Sequence, residues 1–82
     1  MMAEWRMYDR PMPSHTEAID YARNNLIDPG CYTRWEIINI EDNTVERTVE
    51  IVFALWHKTE GRVGEFTFEI WIDDLGEVYG EW

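Results

Sequence analysis

Apolar positions recur at two different periods along this chain, and the change of period divides it in two. Ala18, Ile19, Ala22 and Leu26 return at helical spacing. Just ahead of them, Ser14-His15-Thr16-Glu17 has the form of a capping box: the serine hydroxyl accepts from the backbone three residues on, and the glutamate reaches back. A helix is therefore predicted over 14–27, with Asp28-Pro29-Gly30 as its stop. His15, in the first turn, reads as solvated.

Beyond residue 33 the period falls to two. Trp35 to Ile40 is β-branched and aromatic, and Asp42-Asn43 reads as a turn. Val45 to His57 then alternates, with Val45, Val49, Ile51, Phe53 and Leu55 on one side and Glu46, Thr48 and Glu50 on the other. Glu65 to Asp73 alternates as well: Phe66, Phe68, Ile70 and Ile72 against Glu65, Thr67, Glu69 and Trp71. Asp74-Leu75-Gly76 is a turn, and Glu77 to Trp82 makes a last short strand. Residues 3–8 alternate weakly, as an edge strand or an ordered arm, before Pro11 and Pro13 interrupt them.

The expected architecture is α+β in a single domain over 1–82: an arm or edge strand at 1–13, a helix at 14–27 and an antiparallel sheet at 33–82. One N-terminal helix packs on a four-stranded antiparallel β-meander, five-stranded if the N-terminal segment joins it.

A register follows if Gly61-Arg62 is a two-residue turn. His57 then faces Phe66, Leu55 faces Phe68, Phe53 faces Ile70 and Ile51 faces Ile72. On the other side of the sheet Trp56 lies beside Thr67, Ala54 beside Glu69, Val52 beside Trp71 and Glu50 beside Asp73. Two tryptophans and a valine among carboxylates are unusual on a solvated sheet face. This side is expected to be an interface or to be crossed by a terminal segment.

Charge sharpens that expectation. Residues 1–34 hold five acids and four bases, whereas residues 35–82 hold twelve acids and three bases. No base follows Arg62, and the chain's net charge is -10. Such a field repels nucleic acid and anionic membrane and attracts basic surfaces. Direct nucleic-acid binding is not expected, because stacking platforms need a cationic groove. The 45% hydrophobic content argues against disorder despite the charge.

Catalytic and metal signatures are missing from the pattern. Cys31 is the single cysteine, with no histidine at a recognisable spacing, and reads as a small hydrophobe rather than a nucleophile. His57 reads as a boundary residue. No Cys-x-x-Cys or His-x-x-x-His exists, and Asp73-Asp74 with Glu77 falls short of a calcium loop. No enzyme activity, cofactor or metal is expected. The lone cysteine, the lack of an apolar leader in the first residues and the lack of a stretch of about 20 apolar residues suggest a cytoplasmic setting without membrane association.

The segment Phe66-Thr67-Phe68-Glu69-Ile70-Trp71-Ile72-Asp73-Asp74-Leu75-Gly76-Glu77-Val78 resembles the closing hairpin of PepSY-type domains, which pair an aromatic-rich strand with an Asp-x-x-Gly-Glu-Val turn. It covers 13 of 82 residues, and no function follows from it. In size and charge the chain is similar to nuclease-inhibitor, immunity and anti-defence proteins.

Two functions fit these features. The first is a small acidic, non-catalytic binding protein that inhibits or sequesters a basic protein, with carboxylates standing in for phosphates. Its contact surface would comprise Glu50, Val52, Trp56, Glu65, Glu69, Trp71, Asp73, Asp74 and Glu77. The second is a homo-oligomer, such as a homodimer, that uses the Trp-bearing sheet face for self-association or ligand binding. Solubility or salt adaptation would equally account for the acidity alone.

Overall fold

A computed structural model describes residues 11–81, so the proposed N-terminal strand at 3–8 lies outside the described residues. Helix α1 spans His15–Tyr21 and passes directly into a π-helical turn, Ala22–Leu26. Four strands follow: β1 Tyr32–Asn43, β2 Thr48–His57, β3 Gly61–Ile72 and β4 Val78–Glu81. They form one antiparallel sheet in the order β1-β2-β3-β4. The fold is α+β, with the N-terminal helix packed on a four-stranded meander.

The helix starts where the capping box places it. Glu17 N donates to Ser14 Oγ at 3.1 Å, and Ser14 N donates to Glu17 Oε1 at 2.9 Å. The π-turn changes which side chains are buried. Ile27 N donates to Ala22 O at 3.0 Å, so one extra residue fits into the last turn. This brings Ile27 into the core beside Ala18 and Ala22. A helix of uniform α period does not predict that.

His15 is not merely solvated. Its Nε2 lies 2.8 Å from Asp42 Oδ1, a pairing that links the start of the helix to the far end of β1.

The core lies between the helix and one face of the sheet. Phe53, Phe68, Ile51, Leu55, Ile70 and Val49 are its largest fully buried side chains. Phe53 and Phe68 meet at 5.3 Å between ring centroids, close to the preferred spacing of tilted aromatic pairs. Gly80 lets the helix approach the edge strand. A Cβ there would meet Ile70 Cδ1 and would lie 3.3 Å from Tyr21 Cε1.

Two connections differ from the sequence expectation. Asp42 and Asn43 belong to β1, and the turn is 44–47, with Arg47 at φ 60 and Glu46 N donating to Asn43 Oδ1 at 3.1 Å. Val45 therefore sits in an exposed turn rather than on a strand face.

The central hairpin turns at 58–60, not at Gly61-Arg62. His57 Nδ1 lies 3.2 Å from Thr59 N, which donates to it, and 3.0 Å from Thr59 Oγ1. Gly61 closes the turn at φ 74. Phe53 consequently faces Phe66 instead of Ile70, and Ile51 faces Phe68 instead of Ile72. The slip is four residues along β3. Because it is even, every apolar residue keeps its face, and hydrophobic alternation cannot distinguish the two registers.

Candidate functional site: the outer face of the sheet

Residues directly opposite one another in an antiparallel pair share a face. The register therefore orders the face turned away from the helix into tiers that cross the strands. At one end, Arg34, Trp56 and Arg62 stand in line on β1, β2 and β3. Next come Glu36, Ala54 and Glu65, and then Asn39, Val52 and Thr67. The following tier is Glu41, Glu50, Glu69 and Glu81, one glutamate from each of the four strands. Beyond it, Trp71 faces Tyr79, with ring centroids 5.6 Å apart.

Each end has its own chemistry. The Arg34 guanidinium lies 4.3 Å from the Trp56 ring centroid and that of Arg62 lies 5.8 Å from it, so one indole is flanked by two cations. Both arginines also reach a carboxylate of the next tier: Arg34 Nη2 to Glu36 Oε2 at 3.5 Å, and Arg62 Nη2 to Glu65 Oε2 at 3.2 Å. The guanidiniums remain about half exposed.

At the other end carboxylates oppose carboxylates. Partial burial, and then the charges of Glu46, Glu50 and Glu81, hold the Glu69 carboxyl above the ordinary glutamate range. Neighbouring strands are about 4.8 Å apart, so the row compresses four acids into roughly 15 Å. Among the described residues of the outer face Ala54 and Thr48 are buried, and Thr48 Oγ1 has no hydrogen-bond partner among them.

The residues expected at an interface are distributed unevenly over this surface. Glu50 and Glu69 come together directly, although the expected register separated them. Val52 lies beside Thr67 rather than Trp71. Trp56 and Trp71 fall at opposite ends, so no tryptophan–valine cluster forms. Trp56 is surrounded by cations rather than acids, and Glu65 is engaged by Arg62.

Asp73 builds the β3–β4 turn. Its Oδ1 accepts from Leu75 N and from Glu77 N, both at 2.9 Å. Asp74 and Glu77 are exposed on that turn, away from the outer-face tiers. Glu41 was not legible as part of the row, because a turn at 42–43 would remove it from a strand. The approach of Arg34 and Arg62 to Trp56 was not legible either, since it depends on the register at both edges of β2. The Asn43 side chain, which caps the turn that follows it, is the signal that would have extended β1 through Glu41.

The thiol and imidazoles have local structural partners. Asp28 accepts from Gly30 N at 2.8 Å and from Cys31 Sγ at 3.3 Å. These bonds hold the Asp28 carboxyl below its usual range. The bond to Asp28, with burial and the aspartate's charge, pushes the Cys31 thiol up. A thiol kept protonated is a poor nucleophile. Among the described residues, no group of three or more His, Cys, Asp or Glu could hold a metal ion, and no helix is long and apolar enough to cross a membrane.

No family model, curated protein or solved structure matches the chain.

Proposed function

We propose that the chain is a small non-catalytic binding protein that inhibits or sequesters a basic protein through the glutamate end of its outer face. The observation that carries this reading is the row Glu41, Glu50, Glu69 and Glu81, one acid from every strand of the sheet. Like charges directly opposed across strands are destabilising. Nothing about the core requires them there, since all four sit away from the helix. A cationic partner would relieve the repulsion and would be steered in by the chain's field.

A basic nucleic-acid-binding protein fits this description, and an immunity-type or anti-defence inhibitor is the corresponding role. Trp71 and Tyr79, in tilted contact at the end of the row, supply the aromatic anchor that charge alone lacks. A cytoplasmic setting suits such a protein.

The test is affinity capture from a native extract with the wild-type chain and with the Glu50→Lys, Glu69→Lys variant, followed by mass spectrometry and salt elution. The expected result is a basic protein that the wild type retains, that salt releases and that the variant fails to hold. Retention unchanged by the double reversal, or bound proteins with no basic character, overturns the proposal.

A further inference from the structure

The outer face carries its own counter-charge. Its cationic tier, Arg34–Trp56–Arg62, and its glutamate row are separated by the six residues from Trp56 to Glu50 on β2, about 20 Å of strand. We propose that a second copy of this chain docks face to face on this surface. The two-fold axis crosses the strands between Val52 and Ala54.

Such an axis reverses the strand direction but leaves each strand over its own counterpart. Arg62 on β3 then lies over Glu69 of the other copy, also on β3. Arg34 on β1 lies over Glu41, also on β1. A two-fold interface makes every such contact twice, so four cross-copy ion pairs arise from two sequence pairs.

Two features support this arrangement. The Glu69 carboxyl is surrounded by other carboxylates on its own copy, and an arginine from the other copy would neutralise that crowding. The axis also falls between two tiers, Glu36–Ala54–Glu65 and Asn39–Val52–Thr67. On the central strand only short side chains meet, and Ala54 is already buried in the single copy. The sheets can therefore pack at about 10 Å, with Glu65 over the Thr67 hydroxyl and Glu36 over the Asn39 amide of the other copy. The face measures on the order of 500 Å² per copy, below the ~800 Å² per partner of a standard interface. The dimer should therefore be weak and sensitive to salt. This association is separate from the basic partner proposed above and would compete with it for the glutamate row.

Charge-reversal variants of the full chain, compared by sedimentation over a range of protein and salt concentrations, test the idea. The wild type should show a reversible dimer that added salt weakens. Arg34→Glu with Arg62→Glu should weaken self-association by about tenfold or more, as should Glu41→Arg with Glu69→Arg, given the size of close cross-interface charge couplings. The decisive sample is an equimolar mixture of these two double variants. In the proposed geometry each complements the other at both ends, so the mixture should dimerise when neither does alone. Circular dichroism of each variant confirms that the sheet is retained.

A wild type that stays monomeric at every concentration overturns the dimer, as does a mixture no more associated than its components. Neither outcome touches the basic-partner reading. That reading fails separately if a basic protein captured by the wild type is held equally by the Glu50→Lys, Glu69→Lys variant.

Discussion

Glu50 stands directly across from Glu69 on the outer face, and Glu81 stands directly across from Glu69 on its other side. Three carboxylates in register repel, and partial burial first, then the charges of Glu46, Glu50 and Glu81, hold Glu69 in the middle above its ordinary pKa of 4.5. A raised folded-state pKa contributes stability that is complete below that ordinary value and is lost as pH rises through the raised one. At neutral pH the ionised Glu69 therefore opposes folding. Glu69→Gln should stabilise the protein at neutral pH by about 0.2–1 kcal/mol for each opposed pair relieved. The gain should shrink as pH falls toward 4.5. Thermal melts of wild type and variant, subtracted at each pH, check this; a pH-independent difference counts against it.

Thr48 Oγ1 is buried without a hydrogen-bond partner among the described residues. Replacing an unsatisfied hydroxyl by a methyl of similar shape removes a desolvation cost. Thr48→Val is expected to stabilise by about 1 kcal/mol, read as a higher urea midpoint with an unchanged slope. A lower midpoint would show that the hydroxyl is satisfied in solution.

Gly80 and Gly64 are required for different reasons. At Gly80 a Cβ would collide with Ile70 and crowd Tyr21, so Gly80→Ala should cost about 1–3 kcal/mol through overpacking. Gly64 has open space around it but sits at φ 127, and Gly64→Ala should cost about 1–3 kcal/mol through backbone strain. Denaturant titration separates them further: Tyr21→Ala with Ile70→Val should lessen the effect of Gly80→Ala and leave that of Gly64→Ala unchanged.

Cys31 donates to Asp28, and that bond pushes its thiol pKa up. Alkylation of Cys31 in the folded protein should therefore be slower than in the unfolded chain at mildly alkaline pH. Asp28→Asn should accelerate it, because the neutral amide removes the aspartate's charge while its oxygen can still accept from Gly30 N. The rate of iodoacetamide labelling, followed by mass spectrometry, decides this; equal rates would mean that Asp28 does not govern the thiol.

Much of this fold is legible from local pattern. Ser14 and Glu17 mark the helix start with two hydrogen bonds that need only a four-residue span. Alternation assigns Ile51, Phe53 and Phe68 to the buried face, and all three are buried. The candidate site was less legible. Whether Glu50 meets Asp73 or Glu69 depends on where the hairpin turns, and the turn depends on a few local contacts. The signals there are Gly61 at positive φ, a histidine ring nitrogen accepting from Thr59, and the bulge at Val63 beside Gly64. Gly61-Arg62 suggested a tighter turn, and an even slip keeps the hydrophobic pattern intact.

The sequence by itself determined the α+β class, the helix position, the face taken by the core residues of β2 and β3, and the anionic field. Each of these follows from short-range periodicity, from capping chemistry or from summed charge. Only the tertiary structure decided the register. With it came the alignment of Glu41, Glu50, Glu69 and Glu81 in one row, and the placing of Trp56 between Arg34 and Arg62. The π-turn that buries Ile27 was likewise decided in three dimensions. The physical reason is the same in each case. Residues far apart in the chain meet according to turn geometry and packing against the helix, and a period-two pattern is unchanged by any even displacement of one strand along its neighbour.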